Sequence, residues 1–547
     1  MPELRDDFRS LAWALCARRD VPLLVTDMIA DHLVRRDLFK INTLSRSLNE
    51  MANATIYRDV GINLDGNERS TRTASLLFRT LLTSRTAAQA VRTLSLAGDP
   101  LQDWRHKATD FGRSDGVEWP LEGLTPPAMH ADLADFTEGE IKLYDKVAAS
   151  YSASTRPPLS EVPIWSLYLH AFRLTPHIQD LSVNSDYFRF SDFRSNLQDM
   201  ARDPSMQKLR SCSLCLDLLQ QKQRHPIAVQ HWNSALLMPF AVPGIESIEV
   251  VASLQPEAVR QLLPLPGGSL ITRLILHHYV HGESDLNSLL VATPSLRYLK
   301  YHAMTDWQWL SCSRSREAPF PDHPVGLETL YAALRHVSGS LQELHISQDF
   351  HEDSTHWHMN SITNSLNDVP LFHQKEELSN LKRLHTLTIP YAVLLGWSCT
   401  TCVLDWDKTL PSSLRRIVWS DDFQNEQTCF GDPWDDHNLM PAILGLVEWL
   451  SAPQRGDKAA EFELHLNFHP HEFNEPVRQQ LTRMCEERGV LCSIEKKRAD
   501  RPRHHTWTPS VPLSPETLAE ERIRRTTVPV LARGRGRGRG RGKRFGR

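Results

Sequence analysis

The sequence is poor in cysteine and contains no long hydrophobic run. Its 547 residues include nine cysteines, an odd number that is too low for a disulfide scaffold and favours a reducing compartment. No apolar run approaches the roughly 20 residues that a membrane-spanning helix needs. The apolar stretch at residues 11–17 is short and leads into Arg18-Arg19 rather than a small-residue cleavage site. We therefore expect neither a secreted nor a membrane protein.

Catalytic signatures are also lacking. The sequence has no G-x-S-x-G elbow and no phosphate-binding G-x-x-x-x-G-K loop. His351-Glu352 with His356 misses the zinc-protease helix motif, because the second histidine follows five residues after the first instead of four. An exposed loop explains these residues better. We expect no enzyme, no catalytic residue and no cofactor.

Metal sites have only weak candidates. Two C-x-x-C pairs, Cys212/Cys215 and Cys399/Cys402, would have to converge from distant parts of the chain, and a buried strand position explains Cys212 equally well. The acidic clusters at residues 421–422 and 432–436 are more typical of solvated loops than of cation sites. The sequence therefore predicts no metal.

Charge is divided unequally along the chain. Residues 496–547 contain 16 of the 62 Lys and Arg residues but only four of the 66 Asp and Glu residues. This segment has a net charge of +12, and the preceding residues have a net charge of −16. The body and the C-terminal segment should therefore favour different partners.

One spacing of apolar residues recurs along the body. An apolar residue is followed by two spacers, a second apolar residue, one spacer and a third apolar residue. The nine occurrences are Val91-Leu94-Leu96, Ile178-Leu181-Val183, Leu209-Cys212-Leu214, Ile245-Ile248-Val250, Ile271-Leu274-Leu276, Leu296-Leu299-Tyr301, Leu341-Leu344-Ile346, Leu384-Leu387-Ile389 and Leu414-Ile417-Trp419. Helix-like segments such as residues 285–292 and 326–337 lie between them. The pattern predicts one strand and one helix per unit, stacked on its neighbours as a solenoid.

These units resemble degenerate leucine-rich repeats. The anchors at 245, 271 and 296 are 26 and 25 residues apart, within the usual range for that repeat, whereas the other steps are longer. The resemblance implies a curved α/β solenoid over residues 65–497, with a long insertion near 98–163 that contains one helix at 134–149. Unrelated strands in an α/β domain are the alternative. A helix from Pro476, ended by Gly489 and followed by a strand at 490–494, resembles the closing unit of such chains.

In a leucine-rich-repeat strand, the residue between the last two apolar positions faces the concave side. The resemblance therefore implies a target-binding surface that includes Ser95, Ser182, Ser213, Glu249, Ile275, Lys300, His345, Thr388 and Val418.

The N-terminal part follows a different pattern. Residues 1–20 predict a short helix, and residues 21–64 predict two or three short helices followed by a strand in which Val60, Ile62 and Leu64 alternate with polar residues or glycine. The order Val21-Pro22, Arg36-Asp37-Leu38, Leu44-Ser45-Arg46 and Ile56-Tyr57-Arg58 resembles the F-box, in its fungal form.

An F-box implies docking on the Skp-type adaptor of a cullin (SCF) ubiquitin ligase, in the nucleus or the cytoplasm. The repeats would then hold an unknown target protein, and the chain would be a substrate receptor without bond chemistry of its own. The residues expected at the adaptor are Val21, Pro22, Leu24, Ile29, Leu33, Leu38, Ile41 and Leu44.

Residues 498–547 predict a disordered basic tail. Repeated Arg-Gly pairs combine the backbone entropy of glycine with repulsion between like charges. Arginines on a flexible chain contact phosphates or stack on unpaired bases, so the candidates for non-specific RNA binding are Arg533, Arg535, Arg537, Arg539 and Arg541. Nuclear import, methylation and simple solubilisation are alternatives. A leucine-rich-repeat scaffold with an RNA-binding tail and no ligase link is the second hypothesis for the whole chain.

Overall fold

The fold is described from a computed structural model. It describes residues 52–63, 68–98, 137–149, 174–185, 208–215, 238–251, 269–279, 283–305, 327–350, 376–395, 405–420, 436–452, 462–468 and 475–496. The chain divides into two units, Met1–His505 and Thr506–Arg547, and every described residue belongs to the first.

Twelve strands among the described residues form one parallel sheet whose spatial order is the order of the chain. They are β1 Asp59–Asn63, β2 Thr93–Gly98, β3 Asp180–Ser185, β4 Ser211–Cys215, β5 Ser247–Val251, β6 Arg273–Tyr279, β7 Tyr298–Thr305, β8 Glu343–Phe350, β9 Thr386–Pro390, β10 Arg416–Ser420, β11 Glu463–Phe468 and β12 Leu491–Lys496. Each strand pairs only with its predecessor and successor, as expected for stacked units of a solenoid. The predicted α/β class is confirmed.

All nine occurrences of the recurrent spacing coincide with a strand, β2 to β10. The first apolar residue lies in the turn before the strand, as Val91 does before β2, and the second and third lie in the strand itself. All three positions are buried throughout the nine units. The spacing therefore marks a buried turn followed by a strand whose core face is buried.

Besides the helical residues 52–56, ten helices accompany the sheet in the described part of the chain. They are α1 Glu68–Thr83, α2 Arg85–Ala90, α3 Glu138–Ala149, α4 Glu283–Ala292, α5 Leu327–Leu334, α6 Glu376–Ser379, α7 Tyr391–Leu395, α8 Trp406–Thr409, α9 Asp436–Leu450 and α10 Glu475–Glu487, with 3₁₀ turns at Met238–Ala241 and Arg335–Val337. The predicted helices at 134–149, 285–292 and 326–337 correspond to α3, α4 and α5 with its following 3₁₀ turn. Their buried residues join the strands in one hydrophobic core, which includes Leu289 and Leu330.

Sequence patterns missed β11 and α9. In β11 the buried residues Leu464 and Leu466 follow Phe462 in simple alternation, so the two-spacer signature is missing. Helix α9 begins at Asp436, a residue that we assigned to a solvated loop, and it buries Leu439, Ile443 and other residues of one face. The assignment of Asp436 to a loop is therefore wrong.

The closing unit has the predicted helix, glycine and strand. Gly489 has φ +72°, a left-handed conformation that glycine adopts without steric cost. The Val490 amide donates to the Cys485 carbonyl at 2.9 Å, which ends α10 and directs the chain into β12.

One hydrogen-bond pattern recurs before the strands. The residue that directly precedes a strand and the first residue of that strand both donate their amides to one carbonyl in the preceding unit, as Arg92 and Thr93 do to Arg58 at 2.8 and 3.0 Å. The pattern repeats nine times and links a set that we call the turn column: Arg58, Arg92, Gln179, Arg210, Glu246, Thr272, Arg297, Gln342, His385 and Arg415. The units are therefore equivalent in backbone geometry although their lengths differ.

Several predictions lie outside the described residues: residues 1–51 with all proposed adaptor contacts, the Arg-Gly tail, Cys399/Cys402, His351/His356, and the 98–163 insertion apart from α3. Residues 52–56 are helical and lead into β1. No described helix is long and apolar enough to cross a membrane.

Candidate target-binding face

The nine predicted target-binding residues lie in one row across the sheet. Strand register pairs Ser95 with Ser182, Ser182 with Ser213, and so on through Thr388 and Val418. The same register adds Gly61 on β1, His465 on β11 and Ser493 on β12. We call these twelve positions the register row.

Sequence reasoning missed the three added positions. Gly61 lies between the alternating residues of β1, and Ser493 lies between Cys492 and Ile494 in the predicted closing strand, so alternation alone could have located both. His465 was missed together with β11.

The register row faces away from the hydrophobic core. Its two apolar members on the middle strands, Ile275 and Val418, are buried but do not belong to the core cluster. Ser182, Ser213 and Glu249 are also buried, whereas Ser95, Lys300, His345 and Thr388 are half-buried. Part of this face is therefore buried, and part of it is partly accessible.

Glu249 is the centre of a polar cluster on β4 to β7. Its side chain is 7% exposed, and its Oε1 lies 2.8 Å from His277 Nε2. The Ser213 hydroxyl donates to its Oε2 at 3.1 Å. The His302 ring meets the His277 ring edge-on, with centroids 6.2 Å apart. A carboxylate this deeply buried needs such partners, because desolvation without them is costly.

A second group stacks beside it on β6 to β8. The Arg273 guanidinium lies 3.8 Å from the centre of the Tyr298 ring, a cation–π contact. The Tyr298 ring lies 5.0 Å from the His345 ring. His345 Nε2 is 3.7 Å from the nearest Glu343 oxygen, beyond hydrogen-bond distance.

Burial controls the protonation of these groups. It lowers the pKa of His277, and the hydrogen bond to Glu249 opposes the shift. It also lowers the pKa of His345, opposed by Glu343, and that of Lys300, opposed by Glu249. Each lowered pKa favours the neutral form, so we expect both histidines to be neutral at neutral pH.

A third group closes the face at β10 to β12. His465 is placed between the Ser493 hydroxyl at its Nδ1 and Glu463 Oε2, 3.1 Å from its Nε2. Arg416 on β10 pairs with Glu463 at 3.4 Å. The chain of hydroxyl, imidazole and carboxylate fixes the orientation of the imidazole ring.

Buried polar atoms without partners are concentrated on this face. Among the described residues six such atoms occur, and four belong to the register row or to the position two residues further along the same strand: Ser182 Oγ, His345 Nε2, Ser420 Oγ and Asn467 Oδ1. The other two, in Tyr331 and Trp419, belong to residues of the hydrophobic core. Buried polar groups normally have hydrogen-bond partners, so each exception requires an explanation.

The face offers recognition chemistry in the form of hydroxyls, imidazoles, a lysine and paired carboxylates. No group of three His, Cys, Asp or Glu residues in the described part of the chain could hold a metal ion. Cys212 is a buried free thiol of β4, and burial raises its pKa, as expected for a small core residue. Neither family models nor curated proteins yield a match to this chain.

Proposed function

We propose that the chain is the substrate-recognition subunit of a cullin-type ubiquitin ligase and that the face around the register row binds its target protein. The single register that aligns the half-buried polar residues Ser95, Lys300, His345 and Thr388 carries the target-binding part of the proposal. The shared register of the row provides one continuous surface for the contact.

The length of the face favours a macromolecular target. Ser182 on β3 and Asn467 on β11 are separated by eight strand steps, which at roughly 4.8 Å per step gives about 38 Å. Small ligands bind in compact concave pockets, whereas a protein surface or an extended segment can follow a row of this length. The resemblance to leucine-rich repeats, which present this row on their concave side, supports the same assignment.

A cross-linking experiment tests the target-binding face. A photoreactive amino acid is placed at Ser95 or Thr388 in the row and, as a control, at Val291, which is 45% exposed on α4. We expect the same protein to be captured from both row positions and not from Val291. Equal capture from all three positions would contradict a target-binding row.

The adaptor half of the proposal rests on the F-box resemblance of residues 21–64. A module of this size buries too few apolar side chains to offset its chain entropy alone, so a partner surface such as the adaptor is needed. The test is a pull-down of the Skp-type adaptor by the intact chain, by Leu38→Asp and by the control Leu491→Asp, which changes an exposed leucine of β12. We expect only Leu38→Asp to lose the adaptor. If the intact chain recovers no adaptor, or both variants recover it equally, the ligase assignment is wrong.

The alternative is a repeat scaffold without a ligase link, with RNA bound by the Arg-Gly tail. The net charge of +12 after residue 495 favours it. RNA affinity that is unchanged after deletion of residues 533–547 would exclude the tail as the RNA site.

A further inference from the structure

The turn column lies at the edge where the parallel strands begin, and it is basic. In the ten four-residue segments that each end at a column residue, eight Lys or Arg side chains occur against a single acidic one, Glu246. The eight are Arg58, Arg92, Lys208, Arg210, Arg297, Lys382, Arg383 and Arg415, of which all but the half-buried Arg92 are exposed. Because residues 1–495 have a net charge of −16, this concentration opposes the general charge of the body.

The sequence that follows the strands has the opposite charge. The three residues after each of β1 to β11 include nine Asp or Glu and no Lys or Arg. The nine are Asp65, Asp99, Asp186, Asp217, Asp306, Glu352, Asp353, Asp421 and Asp422. These residues are joined to the carboxyl ends of the strands, and the turn column precedes the amino ends. The sequence contrast therefore favours an anionic partner at the starting edge.

We propose that the turn column and its flanking Lys and Arg residues bind the phosphate backbone of single-stranded RNA, independently of the proposed ligase role. Successive column residues are about 4.8 Å apart, so the ten extend over roughly 43 Å. A single small anion would contact only one or two positions, whereas a nucleic-acid strand presents a phosphate at every nucleotide along that length.

Side chains, not backbone amides, make the proposed contacts. Nine of the ten column amides already donate to the carbonyl of the preceding column residue, and that of Arg58 donates to Thr55, so they cannot form an anion-binding nest. Six of the eight basic residues are arginines, whose planar guanidinium binds phosphate through two parallel hydrogen bonds. A nucleic-acid strand carries one phosphate per nucleotide, a regular row of anions that matches a row of basic side chains over this length.

Salt-dependent binding tests the proposal with the full-length chain and a fluorescent 30-nucleotide poly-uridine probe. The column variant carries Arg210→Gln, Arg297→Gln and Arg415→Gln. The control variant removes the same charge from exposed arginines outside the column, by Arg85→Gln, Arg335→Gln and Arg483→Gln. Circular dichroism verifies that both variants are folded.

We expect the column variant to lower the slope of log affinity against log salt by about 2, because three lost phosphate contacts contribute roughly 0.7 each. At ~50 mM salt its affinity should fall about tenfold or more, and the control variant should match the intact chain. Since the tail is the same in all three proteins, its own binding cancels. Ultraviolet cross-links should include peptides around Arg210, Arg297 and Arg415.

Three results would overturn the proposal. One is the same salt slope for the column and control variants. Another is RNA cross-linking confined to residues 506–547. The third is unchanged RNA affinity with a loss of self-association in sedimentation, which would identify a second copy of the chain as the occupant of the column.

Discussion

The two faces of the sheet share one backbone and one register but are stabilised differently. On the core face, the second apolar position of each unit from β2 to β10 and its equivalent in β11 form a row that is 0 to 2% exposed: Leu94, Leu181, Cys212, Ile248, Leu274, Leu299, Leu344, Leu387, Ile417 and Leu464. On the opposite face, the buried Glu249 of the register row depends on specific partners, Ser213 and His277. Burial is non-directional and proportional to area, whereas polar pairing requires defined geometry. The stability lost by a substitution on the core face should therefore scale with the side-chain volume removed. On the polar face it should scale with the hydrogen-bond partners removed.

Adjacent residues of β8 test this contrast most strongly. Leu344 is fully buried in the core, and His345 belongs to the register row. Leu344→Ala should lower the free energy of unfolding by about 2 to 5 kcal/mol, because it leaves a cavity. His345→Ala should cost under about 1 kcal/mol, since the Nε2 that it removes has no hydrogen-bond partner. Urea unfolding followed by circular dichroism measures both, and equal losses would contradict the contrast.

Two glutamates, Glu249 on the polar face and Glu246 in the turn column, compare a buried with an exposed charge. Glu249→Gln should lower the free energy of unfolding by about 1 to 3 kcal/mol, because it weakens the bonds to Ser213 and His277 and removes the charge that opposes the lowered pKa of Lys300. The control is Glu246→Gln, three residues earlier in an exposed pair with Arg210 at 3.8 Å. A surface pair of this kind contributes roughly 0 to 1 kcal/mol. If Glu246→Gln costs as much as Glu249→Gln, burial is not the deciding factor.

The polar face should also make stability depend on pH. Burial lowers the pKa of His277, with Glu249 opposing and Lys300 and His302 adding to the shift, and it lowers that of His345, with Glu343 opposing and Lys300 and Arg273 adding. Unfolded histidine titrates near pH 6.5, so the unfolded chain takes up protons first as pH falls. The contribution of these histidines is fully present above about pH 6.5 and is lost as pH falls toward the folded pKa values.

Urea unfolding at several pH values between 8 and 5 measures this smaller effect. The stability of the double variant His277→Gln, His345→Gln should decline less as pH falls. Replacement of the exposed His336 by Gln should leave the full decline in place. A decline as steep in the double variant as in the intact chain would assign the pH dependence to other groups.

The sequence predicted the geometry of the sheet better than the energetics of its polar face. Repeated buried turns and strands require equivalent backbones, so the spacing located β2 to β10 and the register that aligns Ser95 with Val418. The strand β11 was missed because its turn lacks the first apolar anchor. Burial of Glu249 and Ser182 depends on neighbours from other units that are distant in sequence, and the pattern of one strand contains no information about them.

The smallest expected effect comes from removing one hydroxyl from the core and one from the polar face. It distinguishes the two most sharply, because the expected changes in the free energy of unfolding differ in direction. The Tyr331 hydroxyl of α5 is buried in the core layer without a hydrogen-bond partner, and burial raises its pKa. Tyr331→Phe removes a desolvated group and should leave the free energy of unfolding unchanged or raise it by up to about 1 kcal/mol. Ser213→Ala removes a donor to Glu249 and should lower it by about 1 kcal/mol. If both variants shift the urea midpoint in the same direction, partner geometry does not distinguish the two faces.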